Sequence, residues 1–219
     1  MRSKIILVFP AWLIFMLLLA CNNDKKKADN FENIINDPRV NSKKVGEENG
    51  IKYFQIIKDG KTGFRDLDGK IVIEPKFDDA EMFSEGYSAV KVGNKWGLIN
   101  EKGEYVIKPT FEYLGSVHNS LASERVNDKY GFVDIKGKER IAPQFEWVDE
   151  FSEGFCVVRN SKEKHGYIDT TGKLIIPFEF EYASKFESGK AKIELNDLWG
   201  SIDKTGKIIE KATHKYATW

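Results

Sequence analysis

Lys95-Trp96-Gly97-Leu98-Ile99-Asn100-Glu101-Lys102-Gly103-Glu104-Tyr105-Val106-Ile107-Lys108-Pro109 reads as two short strands joined by a tight loop. Trp96 to Asn100 is the first strand. Asn100 opens the loop, where an Asx side chain accepts a hydrogen bond from the backbone beyond it and Gly103 takes the left-handed site. That is a hairpin loop with a glycine bulge. Tyr105-Val106-Ile107 returns, and Pro109, with no N–H for a ladder, is expected to end the pairing.

The same reading repeats along the chain. Gly63, Gly97, Gly131, Gly166 and Gly200 are spaced 34, 34, 35 and 34 residues apart. Gly69, Gly103, Gly137, Gly172 and Gly206 run in phase with them, as do Gly86, Ser120, Gly154 and Gly189. Pro75, Pro109, Pro143 and Pro177 recur every 34 residues. After the proline come Phe77, Phe111, Phe145 and Phe180, then the acids Asp78, Glu112, Glu146 and Glu181. A further apolar anchor, at Phe83, Val117, Phe151 and Phe186, precedes a third strand such as Tyr87-Ser88-Ala89-Val90-Lys91-Val92. Periods of this length mean small units that bury their apolar faces on one another. No window carries a 3.6-residue apolar stripe, so helices are minor.

The expected fold is therefore all-β: tandem antiparallel β-hairpin repeats of about 34 residues in an open or incompletely closed solenoid-like array. The ends leave a second reading open. Tyr53 to Lys58 resembles a third strand without its hairpin, and Leu198 to Glu210 is a hairpin without a third strand. Together they complete a fifth unit, which would close a propeller-like ring and remove exposed edges. Equally, the same fragments fit an open solenoid whose packing module would be out of phase with the sequence unit.

Lys95-Trp96-Gly97, Leu198-Trp199-Gly200, Phe83-Ser84-Glu85-Gly86 and Phe151-Ser152-Glu153-Gly154 resemble the motifs of the WG-repeat (KWG-repeat) family of bacterial proteins. The resemblance runs from about Tyr53 to Lys211, with Thr62 in place of the first Trp. It implies tandem β-hairpins and often an exported protein, without a common biochemical activity.

The N-terminus reads as an address. Arg2 and Lys4 precede an apolar run from Ile5 to Ala20, interrupted by Pro10 and shorter than the ~20 residues a membrane-crossing helix needs. It ends in Leu18-Leu19-Ala20-Cys21, which resembles the lipobox of bacterial lipoproteins; the resemblance implies cleavage before Cys21 and its acylation. Residues 1–20 are then the signal, 21–50 a flexible tether poor in apolar residues, 51–211 the repeat domain and 212–219 a tail. Phe31, Ile34 and Ile35 are the tether's apolar cluster, able to dock on the domain. The expected location is the bacterial cell envelope, with the chain held to a membrane through Cys21.

Composition excludes several classes. The 219 residues are 41% hydrophobic, enough for a core, and balance 34 basic against 34 acidic side chains. Without residues 1–20 the balance is 32 to 34, which does not suit nucleic acid. Two cysteines and three scattered histidines give no metal signature, and no cofactor motif is present.

Residues on the repeat lattice are expected to have lattice roles. Asp66, Asp134, Asp169 and Asp203 belong to the turns; Cys156 shares a small-residue slot with Ser88, Ala122 and Ala191; His165 shares the aromatic slot of Trp96, Tyr130 and Trp199. His118 stands where Ser84 and Ser152 do. The acids from Asp78 to Glu181 are expected to pair with lysines, a cation-binding ladder being the rival. Tyr113, Trp147 and Tyr182, following Asp79 in phase, suggest a partly exposed row that stacks on sugar rings or anchors a protein; the rival is an auxiliary core over the hairpin edges. The functional expectation is a non-catalytic binding scaffold for an envelope protein, with a glycan or cell-wall module as the alternative.

Overall fold

A computed structural model describes residues 51–214, with side chains through Lys211. Cys21, the signal, the tether with Phe31, Ile34 and Ile35, and most of the tail lie outside the described residues.

Every regular element described is a β-strand. They form five antiparallel sheets, none closed into a barrel. The first sheet is β1 (Tyr53–Lys58), β2 (Lys61–Asp66) and β3 (Ile71–Phe77). The second is β4 (Asp79–Ala80), β5 (Tyr87–Val92), β6 (Lys95–Asn100) and β7 (Tyr105–Phe111). The third is β8 (Leu114–His118), β9 (Leu121–Val126), β10 (Lys129–Asp134) and β11 (Glu139–Phe145). The fourth is β12 (Trp147–Val148), β13 (Phe155–Arg159), β14 (His165–Asp169) and β15 (Leu174–Phe180). The fifth is β16 (Tyr182–Ala183), β17 (Lys190–Leu195), β18 (Leu198–Asp203) and β19 (Ile208–His214).

The strands in each sheet follow chain order. Of the two readings for the chain ends, the offset module describes the pairing. A sheet takes the third strand of one sequence unit and the hairpin of the next. Tyr53–Lys58 pairs within the first sheet, and the Leu198 hairpin within the fifth. β19 runs to His214, three residues into the stretch read as tail.

By compactness, the described chain parts into two units, residues 51–58 with 63–75 and residues 59–62 with 76–214. The smaller carries most of the first sheet, where Phe54, Phe64 and Ile73 are buried and the Arg65 guanidinium lies 5.1 Å from the Phe54 ring.

In the larger unit, apolar cores form between the second and third, third and fourth, and fourth and fifth sheets. Ala89, Leu98 and Ile107 meet Leu114, Val117 and Val133. Phe132, Ile141 and Phe145 meet Val148, Phe151 and Cys156. Tyr167, Ile176 and Phe180 meet Phe186, Ile193 and Ile202. Neighbouring residues of a central strand serve opposite cores: Phe132 and Val133, Val157 and Val158, Tyr167 and Ile168. Such strands are buried on both faces, so they read as apolar runs rather than as alternation.

Ile73, Ile107, Ile141 and Ile176 are buried on the outer strands. Glu210 takes that place in the fifth sheet, pairing with Ser201 as Ile176 pairs with Tyr167. It is exposed, as suits a face left to solvent.

One expectation needs correcting. The proline does not end the return strand. β7 runs through Pro109 to Phe111, which pairs with Trp96, after a register shift from the Ile107–Leu98 pair. Proline sits in the bulge, where the ladder asks for no donor, and pairing resumes beyond it.

Candidate functional site

The repeated motifs carry the array. A Cβ on Gly97 would stand 2.5 Å from Ile107 O and 2.7 Å from Pro109 N; on Gly131, 2.4 Å from Ile141 O and 2.6 Å from Pro143 N. The bulged return strand presses onto this glycine, so the glycine and the proline opposite it are one device.

In the turns, the Asp134 carboxylate accepts from Lys136 N–H and Lys138 N–H, and Asn100 does the same for Lys102 and Glu104. In Asp169, the Thr171 hydroxyl and then the Thr171 and Lys173 amides hold the carboxyl below its usual range, outweighing burial. These acids are engaged locally, as turn residues should be.

The Phe-Ser-Glu-Gly motif clasps the next sheet. Ser84 Oγ donates to Val117 O at 2.6 Å, and Glu85 accepts from Asn119 N–H and Ser120 N–H at 2.7 and 2.9 Å. One unit on, Ser152 Oγ donates to Phe186 O, while Glu153 accepts from Gly189 N–H and meets Lys204 at 3.0 Å. Between these two, His118 Nε2 lies 3.4 Å from Glu150 Oε1.

Tyr113, Trp147 and Tyr182 do not stand apart as a platform. They interleave with the Trp-Gly aromatics. Trp96, Tyr113 and Tyr130 follow one another edge to face with centroids 6.2 and 6.0 Å apart. Trp147, His165, Tyr182 and Trp199 follow at 6.0, 6.1 and 5.1 Å. No ring contact joins Tyr130 to Trp147 among the described residues. Both series belong to one row with steps of 17 or 18 residues. Trp96 is buried, Tyr113 and Trp147 are half-buried, and Tyr182 is 43% exposed. Burial raises the Tyr113 phenol to about 12. Arg159 pairs across the sheet with both Trp147 and His165; its Nε and His165 Nδ1 are buried without a hydrogen-bond partner.

Three of the four acids after the phenylalanines meet a lysine 17 residues earlier: Asp78 with Lys61 at 2.6 Å, Glu146 with Lys129, and Glu181 with Lys164. Cys156 is fully buried, and burial raises its thiol pKa well above the ordinary value, an unreactive setting. Burial foremost raises the carboxyl pKa of Glu81 and of Asp149, with the charge of Glu150 adding to both.

Sequence reasoning missed the exposed apolar residues of the last strand of each sheet: Ile71 and Val72, Tyr105 and Val106, Leu174, and Ile208 and Ile209, each 37–45% exposed. The third sheet carries Glu139 and Arg140 there. Runs such as Ile71-Val72-Ile73 held the signal, since a strand whose side chains alternate cannot turn three consecutive residues to one face.

No curated protein matches the chain. Among solved structures it is similar to the computationally designed protein Ika8, at 12% identity and a TM-score of 0.50, over 73% of this chain and 58% of that one. BamB from Moraxella catarrhalis follows at 8% and 0.41, over 66% of this chain and 53% of that one. The WD40 beta propeller domain of Doa1 stands at 10% and 0.40, over 73% and 64%. The chain spans less than two thirds of each of these proteins, and the first likeness bears on the fold alone. A model of the WG containing repeat matches residues 63–96, 96–130, 130–162 and 166–199. With more than half of its length matched in tandem copies, the chain belongs to the WG containing repeat family.

Proposed function

We propose that this chain is a membrane-tethered lipoprotein of the bacterial cell envelope, acylated at Cys21, whose repeat domain is a non-catalytic scaffold for a protein partner. The observation that carries the reading is the contrast between engaged polar and exposed apolar residues. Most of the recurring polar side chains are engaged in turns, lysine pairs and clasps. The outer strands of four of the five sheets leave apolar side chains in water. Such surface is costly to leave uncovered and suits the core of a protein interface. A glycan module would need open ring faces, and along the aromatic row only Tyr182 offers substantial exposure.

The test is capture of partners from detergent-solubilised envelope by the full tagged chain. Leu174→Lys with Ile208→Lys is expected to lower recovery of a specific protein at least tenfold without moving the melting temperature. Unchanged recovery refutes the outer-strand surface. Loss on Trp147→Ala with Tyr182→Ala, together with binding to cell-wall fragments, would favour the glycan reading instead. The anchor is tested separately: labelling by an alkyne fatty acid is expected to vanish in Cys21→Ser, and labelling that survives the change refutes it.

A further inference from the structure

The junction between the third and fourth sheets differs from its neighbours in three ways. The serine clasp is absent because His118 replaces Ser84 and Ser152. The glutamate clasp is absent because Asn119 and Ser120 stand where Glu85 and Gly86 do. The aromatic row is interrupted here too, between Tyr130 and Trp147, whereas Trp96 reaches Tyr113 and His165 reaches Tyr182 across the adjoining junctions. The apolar core continues, with Phe132 against Phe151 at 4.8 Å. What replaces the polar clasps is His118 Nε2 on Glu150 Oε1 at 3.4 Å, with Lys185 Nζ on the other oxygen of Glu150 at 3.9 Å.

From this geometry we infer that the junction is a pH-sensitive seam, closed by an ion pair of protonated His118 with Glu150 and loosened when the imidazole is neutral. The inference is independent of what the array binds.

Histidine is the side chain whose charge ordinarily changes between pH 5 and 8. Beside His118, the Glu85 carboxylate from the loop before β5 accepts from Asn119 N–H and Ser120 N–H. Glu150 follows β12, and its carboxyl pKa is lowered first by the His118 hydrogen bond, against burial. Asp149, beside it, feels Glu150, Lys185 and His118, while Glu81 after β4 and the Tyr113 phenol feel Glu150. The pair needs a charged imidazole and a charged carboxylate, so raising the pH weakens it by removing the imidazolium proton, while the lowered carboxyl pKa of Glu150 keeps the carboxylate charged on the acid side. The Ser84 and Ser152 clasps do not change over the histidine range.

Amide hydrogen exchange of the full chain at pH 6 and pH 8, corrected for intrinsic rates, reads the seam directly. Segments 114–119 and 146–153 are expected to open about threefold more often at pH 8, the scale of a partly exposed ion pair, while segments 83–88 and 186–191, which hold the neighbouring clasps, are unchanged. Glu150→Gln should abolish the difference. The triple change His118→Ser, Asn119→Glu, Ser120→Gly, which restores the neighbouring clasps, should abolish it and protect the seam at both pH values. A pH response that survives Glu150→Gln, or is equal at all three junctions, overturns the inference. Glu150→Gln is nearly isosteric and decides the matter even if the triple variant does not fold.

Discussion

Gly131→Ala is expected to destabilise the protein by about 3 kcal/mol or more, among the largest effects of a single methyl group in this chain. The added Cβ would meet three backbone atoms of β11, with Ile141 O at 2.4 Å, Pro143 N at 2.6 Å and Ala142 C at 2.9 Å. No side chain can swing away. Relief requires β11 to retreat, and β11 carries Ile141 and Phe145, both buried against the fourth sheet. Ile141 also fits tightly beside Gly172, where an added Cβ would lie 3.1 Å from its Cγ1. The strain therefore passes into the core between sheets. At roughly 2–4 °C per kcal/mol for a chain of this size, the melting temperature should fall by about 10 °C. Gly154→Ala is the control. Gly154 has φ +90° with open space around it, so only the conformational penalty remains, about 1–2 kcal/mol. Urea denaturation of both variants separates the two causes. A loss below about 1 kcal/mol in Gly131→Ala would mean that the bulge yields freely.

Tyr167→Ala should cost about 3–5 kcal/mol, the range for deleting a large buried aromatic side chain. Tyr167 is wholly buried, its ring centroid lies 4.8 Å from that of Phe186, and its hydroxyl donates to Ser184 O at 2.8 Å. One side chain thus joins the fourth and fifth sheets by packing and by a hydrogen bond across the junction. Burial raises its phenol pKa well above the ordinary range, so the group stays a neutral donor at any working pH. Tyr167→Phe keeps the packing and leaves Ser184 O without this donor, at about 1–3 kcal/mol. The difference between the two variants measures the ring. Equal losses would mean that the hydroxyl carries the contact. A small loss in both would mean that the two sheets do not depend on this anchor.

The turns were legible in the sequence because their physics is local. An Asx that bonds the next few amides and a glycine in the left-handed region need no knowledge of the rest of the chain. The strands were legible for the same reason. Which strands share a sheet was not, because a repeat can be cut at any phase and still look periodic. The proline shows the same limit. By itself it marks the end of a ladder, and only the glycine opposite it turns that end into a bulge with pairing beyond.

The candidate residues divide in the same way. Cys156 and His165 were placed by their slots, since equivalent positions have equivalent surroundings. Tyr113, Trp147 and Tyr182 were recognised as a row, but not as partners of the Trp-Gly aromatics. The two series lie half a unit apart in the chain and meet only once the sheets are formed. His118 was visible as a departure from the lattice, and what it faces depended on a residue 32 positions away.

The amino-acid order alone settled the all-β character, the period and the turn chemistry, for these follow from backbone preferences within a few residues. The phase of the sheets, the covering of the aromatic row, the exposure of the outer-strand aliphatic residues and the odd junction at His118 were decided in three dimensions. Each depends on which distant side chain arrives at a given surface, and no local preference encodes that.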